Sequence, residues 1–240
     1  MWTKPAGEGG AVQCDSSSTV KYYSALPLPN QGKYDILVPM NYQEMMEKTL
    51  ASLGEGKPRL LLHACCAPCA SWPLEALSDR LDITVYYYNP NIMPQEEYEK
   101  RLGEFDKLRR YPFQLIAPAW DNEAYLTAVR GREEDPEGGA RCSLCFRLRL
   151  ESAAREAKEG GYDLFTTTLT VSPHKNAAVI NAIGAELGEA WGVPWLYSDF
   201  KKKEGYKRSI EICRELDIYR QNYCGCRLQS ISDKKGNFDT

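Results

Sequence analysis

No apolar run in the 240 residues approaches the length that crosses a bilayer, and the amino-terminal residues lack the basic-then-apolar pattern of a secretory signal. The expectation from both absences is a cytoplasmic protein with no membrane partner. There is no Gly-x-Gly-x-x-Gly fingerprint, no Gly-Lys-Ser/Thr phosphate loop and no internal repeat. Where a nucleotide-binding α/β protein carries a glycine turn after its first strand, this chain carries cysteines, so the reductant of any redox reaction is expected to be a protein electron donor. A general excess of basic residues is missing too: the net charge is -3. The imbalance is nevertheless uneven. Residues 201–235 hold ten Lys or Arg against five Asp or Glu, a local +5 on a remainder of -8. Such a segment suits either a phosphate-contacting patch or a solvated charged face.

What the chain does have is cysteine, nine in all. In a reducing compartment, clustered cysteines point to metal or redox chemistry more than to structural disulfides. The stretch Leu60 to Ala70 organises the rest. Its first half is a short apolar run after Pro58, which suits a buried strand, and its second half places Cys65, Cys66 and Cys69 where strand hands over to helix. Ser71 is the expected cap of that helix, with Pro73 in its first turn. A helix amino terminus favours thiolate, the form that binds metal.

Residues 1–40, rich in Gly, Ser and Pro through about residue 32, read as a flexible extension with Cys14 incidental to it. Residues 41–230 read as a single α/β metal-binding catalytic domain and 231–240 as a polar tail. Asn41 caps a helix to about Leu53. Further strands are expected over Ile83 to Tyr88, Phe113 to Ala117, Asp163 to Leu169 and Val193 to Tyr197. The intervening helices run from Pro94 to about Arg110, from Asp121 to about Val129, from Arg141 to about Lys158, and from Ser172-Pro173 through Leu187; a last one follows Gly205 to about Leu216. The alternation means βαβ units, hence a mainly parallel five-stranded sheet with helices on both faces. The crevice of such a sheet lies beyond the carboxyl ends of its strands. Cys65, Cys66 and Cys69 follow strand one, Asn89 and Asn91 strand two, Thr167 and Thr168 strand four, and Asp199 strand five.

Seven cysteines fall in three groups: Cys65-Cys66-x-x-Cys69, Cys142-x-x-Cys145 and Cys224-x-Cys226. A structural zinc site and a [4Fe–4S] cluster each take four ligands. One zinc knuckle with spare thiols fits the pattern. So does a four-plus-three division, which leaves a second metal with a position open to substrate. Cys213, in step with Ile210 and Leu216, reads as core. His63 is a ligand, a proton donor or a buried hydrogen-bonded strand histidine. His174 with Lys175 is an anion contact or plain surface.

The runs Asn41-Tyr42-Gln43, His63 to Cys69, Tyr88-Asn89-Pro90-Asn91-Ile92, Arg141-Cys142-x-x-Cys145-Phe146-x-x-Arg149-Leu150, Phe165 to Leu169 and Tyr219 to Cys226 together resemble the QueH-type epoxyqueuosine reductases over about residues 41–229. The resemblance implies a cobalamin-independent metalloenzyme that reduces the epoxide of epoxyqueuosine, at the wobble position of tRNA, to the cyclopentene. It implies a fold of the nucleotide α-hydrolase-like Rossmann group. It also implies a [4Fe–4S] cluster beside a second metal, iron, held by cysteines of the three groups. Because some members carry Asp at the position of Cys69, that residue is expected to serve the second metal, which tolerates oxygen ligands. Cys65 and Cys66, adjacent in extended chain, are expected to point opposite ways, one toward each metal.

On this reading His63 or Asp199 protonates the departing oxygen. Asn89, Asn91, Thr167 and Thr168 line the substrate crevice, and Tyr223 is a candidate stacking platform for a base. Lys201, Lys202, Lys203, Lys207 and Arg208 are the expected contacts to tRNA phosphates. A heterodisulfide-type iron–sulfur reductase and a zinc-stapled RNA-binding module are the competing readings. The first predicts catalysis on small thiols without tRNA, the second a colourless zinc protein.

Overall fold

The computed structural model describes residues 40–54 and 56–226. Cys14, the extension before Met40 and the tail over 231–240 lie outside them.

Among the described residues four strands form, and all pair in parallel: β1 (Arg59–His63), β2 (Asp82–Tyr86), β3 (Gln114–Ile116) and β4 (Leu164–Thr167), in the order β3-β2-β1-β4. β1 lies between β2 and β4, so its Leu60, Leu61 and Leu62 are fully buried. This is why it reads as a continuous apolar run and not as an alternation. Its side chains still part by period two. Leu60 and Leu62 join a core with Met46 and Leu50 of α1 (Tyr42–Ser52), Leu74 and Leu77 of α2 (Ala67–Leu77) and Ile212 of α7 (Gly205–Glu215). Cys213 is part of that core, as its spacing implied. Leu61 and Phe165 join the opposite core with Leu150 and Ala153 of α5 (Ala140–Glu159) and Ile180 and Ile183 of α6 (Ala177–Trp191). Helices therefore cover both faces of the sheet.

The expected fifth strand does not form. Val193 to Tyr197 meets β4 at one bridge, Trp195 with Phe165. Pro194 has no N–H to extend the ladder backward. Forward, side chains capture the backbone: the Thr166 hydroxyl donates to the Leu196 carbonyl, and Asn181 binds both the N–H and the C=O of Ser198. With its polar groups satisfied in this way, the segment runs on beyond β4 as a loop.

Helix boundaries shift where side chains supply other partners. Asn41 and Asp121 cap α1 and α4 (Asn122–Ala128) as expected, their side chains accepting from Glu44 N and Ala124 N. α2 starts four residues before the expected cap Ser71, because Pro68 occupies the first turn, where a missing N–H is harmless. Ser71 is instead buried within the helix and donates to the Pro68 carbonyl. The single helix expected from Pro94 divides into α3 (Gln95–Gly103) and a 3-10 helix, Glu104–Leu108. β4 ends early because the Thr167 hydroxyl accepts from Leu169 N and opens a 3-10 turn, Thr168–Val171. α6 begins at Ala177 and not at Ser172, since Asn176 accepts from both Ala178 N and Val179 N.

Candidate metal centre

The strand order reverses between β1 and β4, and ligand crevices open at that point of a parallel sheet. The cysteine turn leaves β1 there. Ala64 N still pairs with the Tyr86 carbonyl, but Cys65 N turns to the Thr168 hydroxyl at 3.2 Å, and Cys66, extended, enters α2. Off the pleat, alternation of side chains no longer holds. Cys65 and Cys66 do not point apart as expected: their sulfurs lie 3.8 Å from each other. With Cys69 they form a triad whose sulfurs all lie within 4.8 Å, the one such group of potential ligands among the described residues.

The second wall comes from α5 and from the end of the described chain. Cys142 and Cys145, three apart on α5, share a helix face. Cys224 and Cys226 come to the same recess, about 600 Å³ with its open mouth, which Lys175 and His174 also line. The loop carrying them is fastened by Met93 N to the Gly225 carbonyl and by the Arg101 guanidinium to the Cys224 carbonyl. The glycine between the two thiols is required: Gly225 has φ +99°, and a side chain would crowd Arg101 at 3.2 Å. Gly138 N donates to Cys142 Sγ at 3.3 Å. Cys65 of the first wall and Cys142 and Cys226 of the second each pack against one apolar core, of which Cys145 is a buried member.

Charge around the thiols is mainly positive. Hydrogen bonds from Cys66 and Cys69 hold the Cys65 thiol well below the ordinary range, helped by Lys175 and Arg149, and the same bonds push Cys66 up to about 12 and Cys69 higher than usual. The second wall repeats this: a hydrogen bond from Cys226, then Lys175 and Arg149, bring Cys224 down to about 5, while burial raises Cys145 to about 11. In each wall, then, one thiol is favoured as thiolate over its neighbours. Burial opposes the Lys175 ammonium, but the sulfurs of Cys224, Cys65 and Cys69 outweigh it and hold its pKa above the usual lysine range.

His63 lies at the crevice floor. Its Nδ1 is 2.7 Å from the Thr167 hydroxyl and its Nε2 is 3.2 Å from the Tyr88 carbonyl. A carbonyl only accepts, so Nε2 carries the proton and Nδ1 accepts from Thr167. Burial, then the Arg149 charge, lowers the His63 pKa to about 3 and keeps the ring neutral. Asn89 is equally enclosed, donating to the Ala64 carbonyl and accepting from Arg149 at 2.5 Å. Asn91 is buried, and its Oδ1 has no hydrogen-bond partner among the described residues. Thr168 holds Cys65 N and lies 3.6 Å from its sulfur. Asp199 is buried beside Lys201, 2.6 Å away, and does not line the recess.

The basic segment is largely self-paired. Lys203 meets Glu47, Lys207 meets Glu204 at 2.8 Å, and Arg208 meets Glu75, Glu211 and Glu215. Lys202 is exposed and makes no ion pair among the described residues. Tyr223 is exposed, with Arg101 5.0 Å over its ring. His174, expected in a first helical turn, stands before α6 and lines the recess. Arg149 is the residue the spacing hid most. It lies four after Cys145 and seven after Cys142, on the same face of α5, so helical periodicity was the available signal.

The donor set fits the metals that the sequence resemblance implies. A tight triad suits a single ion with an open position, and the wider set of four suits a larger body such as a cluster. Residues 60–231 match the family described as epoxyqueuosine reductase QueH. Epoxyqueuosine reductase QueH of Streptococcus pyogenes serotype M1 is 43% identical over 197 residues, covering 78% of this chain and 77% of that protein. The protein of that name from Staphylococcus epidermidis is 40% identical over 216 residues, covering 83% and 90%. The one from Thermotoga maritima is 37% identical over 171 residues, covering 70% and 88%. With a family match over most of its length and relatives this similar, the chain belongs to the QueH family of epoxyqueuosine reductases.

Proposed function

We propose that this chain reduces the epoxide of epoxyqueuosine in tRNA to the cyclopentene of queuosine, using a [4Fe–4S] cluster on Cys142, Cys145, Cys224 and Cys226 and a second metal, iron, on Cys65, Cys66 and Cys69. As a member of its family it is an epoxyqueuosine reductase, an oxidoreductase. The observation that carries the cofactor reading is a tight triad of thiols where the sheet order reverses and four further thiols on one recess, with Lys175 feeling sulfurs of both sets. That order also supports the Rossmann-like, nucleotide α-hydrolase-like assignment.

The overall reaction takes two electrons and two protons and releases the epoxide oxygen as water. When bound, the cluster supplies electrons one at a time, from a protein electron donor, and the second metal supplies Lewis acidity toward the leaving oxygen. The chain's own residues do the rest. Thr168 fixes the Cys65 amide and Asn89 ties the Ala64 carbonyl to Arg149, so the turn is rigid before any metal or substrate arrives. Of the two proposed acids, His63 is closed in by Thr167 and Tyr88 and serves to hold the crevice floor. Asp199 is held in a salt bridge with Lys201 outside the thiol recess, so the Lys201 ammonium, not the carboxylate, is the proton-bearing member of that pair. Asn91, its Oδ1 unpartnered, is an acceptor for a hydroxyl or amine of the modified base. Tyr223 stacks on a base, and the exposed lysines meet phosphate.

The test is anaerobic purification followed by iron and sulfide analysis and an assay on tRNA carrying epoxyqueuosine, read as loss of one oxygen from the modified nucleoside. A brown protein that makes queuosine is expected. A colourless zinc protein that binds tRNA without turnover would overturn the assignment.

A further inference from the structure

Buried arginines elsewhere in the chain have carboxylates. Arg101 lies 2.7 Å from Glu97, and Arg147 lies 2.5 Å from Glu186. Arg149, 2% exposed, has none within ion-pair distance among the described residues. Its guanidinium donates to Asn89 Oδ1 at 2.5 Å and lies 4.0 Å from Cys145 Sγ, and its Nε has no partner. Lys175 lines the thiol recess, again with no carboxylate in ion-pair range among the described residues, and its ammonium feels the sulfurs of Cys224, Cys65 and Cys69. Arg141, lining the same recess, donates to the Glu133 carbonyl and leaves Nε and Nη2 unpartnered. Among the described residues one carboxylate, Glu137, lines this recess. A buried guanidinium without an anion is strongly unfavourable, and a half-buried ammonium without one is unfavourable to a lesser degree. The anions within reach are the thiolates, and what they hold.

We propose that Arg149 and Lys175 are the fixed counter-charges of the cluster held by Cys142, Cys145, Cys224 and Cys226, compensating its net negative charge and raising its reduction potential into the range of the protein electron donor. The assignment rests on the function proposed above. Four thiolates on a [4Fe–4S] core leave the assembly anionic, and each added electron makes it more so. A neighbouring cation therefore stabilises the reduced form more than the oxidised form. Both cations work by fixed charge alone, and no bond forms or breaks at either. Asn89 keeps the Arg149 fork oriented, a positioning role, its amide being taken up by the Ala64 carbonyl on one side and Arg149 on the other.

The test uses the loaded protein, with the cluster midpoint potential read by EPR-monitored titration and iron and sulfide measured alongside. Lys175 is only partly buried, so Lys175→Gln tests charge with the least risk to folding. With iron and sulfide unchanged, its midpoint is expected to shift downward, whereas Lys175→Arg keeps the wild-type value. Arg149→Lys is expected to retain the cluster, and Arg149→Gln to lower the midpoint or lose the cluster. A loaded Lys175→Gln protein with an unchanged or higher potential overturns the counter-charge and leaves the proposed function standing. A wild-type protein that takes up no iron or sulfide overturns that function, and this assignment with it.

Discussion

Cys69 stands in the first turn of α2, within 4.8 Å of the sulfurs of Cys65 and Cys66. A single ion accepts an oxygen ligand in place of one thiolate more readily than a cluster does. The variant Cys69→Asp is therefore expected to keep the brown cluster and part of the turnover, because the carboxylate oxygen still holds the second metal. Cys142→Ala, on the opposite wall, is expected to lose the cluster and all epoxide reduction. Iron and sulfide analysis of both variants separates the two outcomes, and a Cys69→Asp protein without its cluster would contradict the division of the thiols. The thiols themselves were legible because three groups of cysteine stand out against any background. Their surroundings were less so. Alternation suggested that Cys65 and Cys66 diverge, but this applies to extended strand, and these residues sit where the strand has already ended. Arg149 was visible only as one member of a long motif, because a cation's meaning depends on whether a carboxylate lies near it in space.

Among the elements, those buried on one or both faces by apolar residues were found at nearly their true bounds, as β1, β2, α1 and α4 show. Those decided by side chains bonding to backbone were misplaced. Thr167, Asn176 and Asn181 each take a backbone group that a regular ladder would have used, and none of the three signals this by residue type alone. The Val193 to Tyr197 segment is the clearest case: β-branched and aromatic, it packs along β4 without becoming a strand. Its seat depends on Gly184 of α6, where a Cβ would stand 2.3 Å from Trp195 Cε2. Alanine there gains about 1 kcal/mol of helix propensity. The clash meets a Trp195 held by its indole N–H to Asn181 and by an edge-to-face contact with Phe165, so overpacking of about 1–3 kcal/mol is expected to win. Gly184→Ala is thus expected to melt a few degrees lower by calorimetry, and an unchanged melting temperature would mean that Trp195 can swing clear.

Across the whole molecule, the basic segment separates into two kinds of charge. Arg208 reaches Glu75 at 2.7 Å, Glu211 at 3.3 Å and Glu215 at 2.7 Å, while Arg110 reaches Glu215 at 3.2 Å, so the network ties α7 to α2. Removing it by Arg208→Ala is expected to lower stability by roughly 1 kcal/mol, read from denaturant midpoints, with little change in tRNA affinity. Lys202, Lys203 and Lys207 are exposed, and the two that are paired face carboxylates that are exposed as well. Such pairs are worth so little in water that exchanging a carboxylate for a phosphate is nearly free. Each phosphate contact on single-stranded nucleic acid contributes about 0.7 to the slope of log affinity against log salt. Changing all three lysines to Gln is therefore expected to weaken tRNA binding at low salt and to reduce that slope by about 2. Melting behaviour should stay close to wild type, because no buried partner is left behind. Filter binding or fluorescence titration of tRNA across a range of salt concentrations measures both quantities at once. If the triple variant kept the wild-type slope while Arg208→Ala lost it, tRNA would be reading the α7–α2 network and not the exposed lysines.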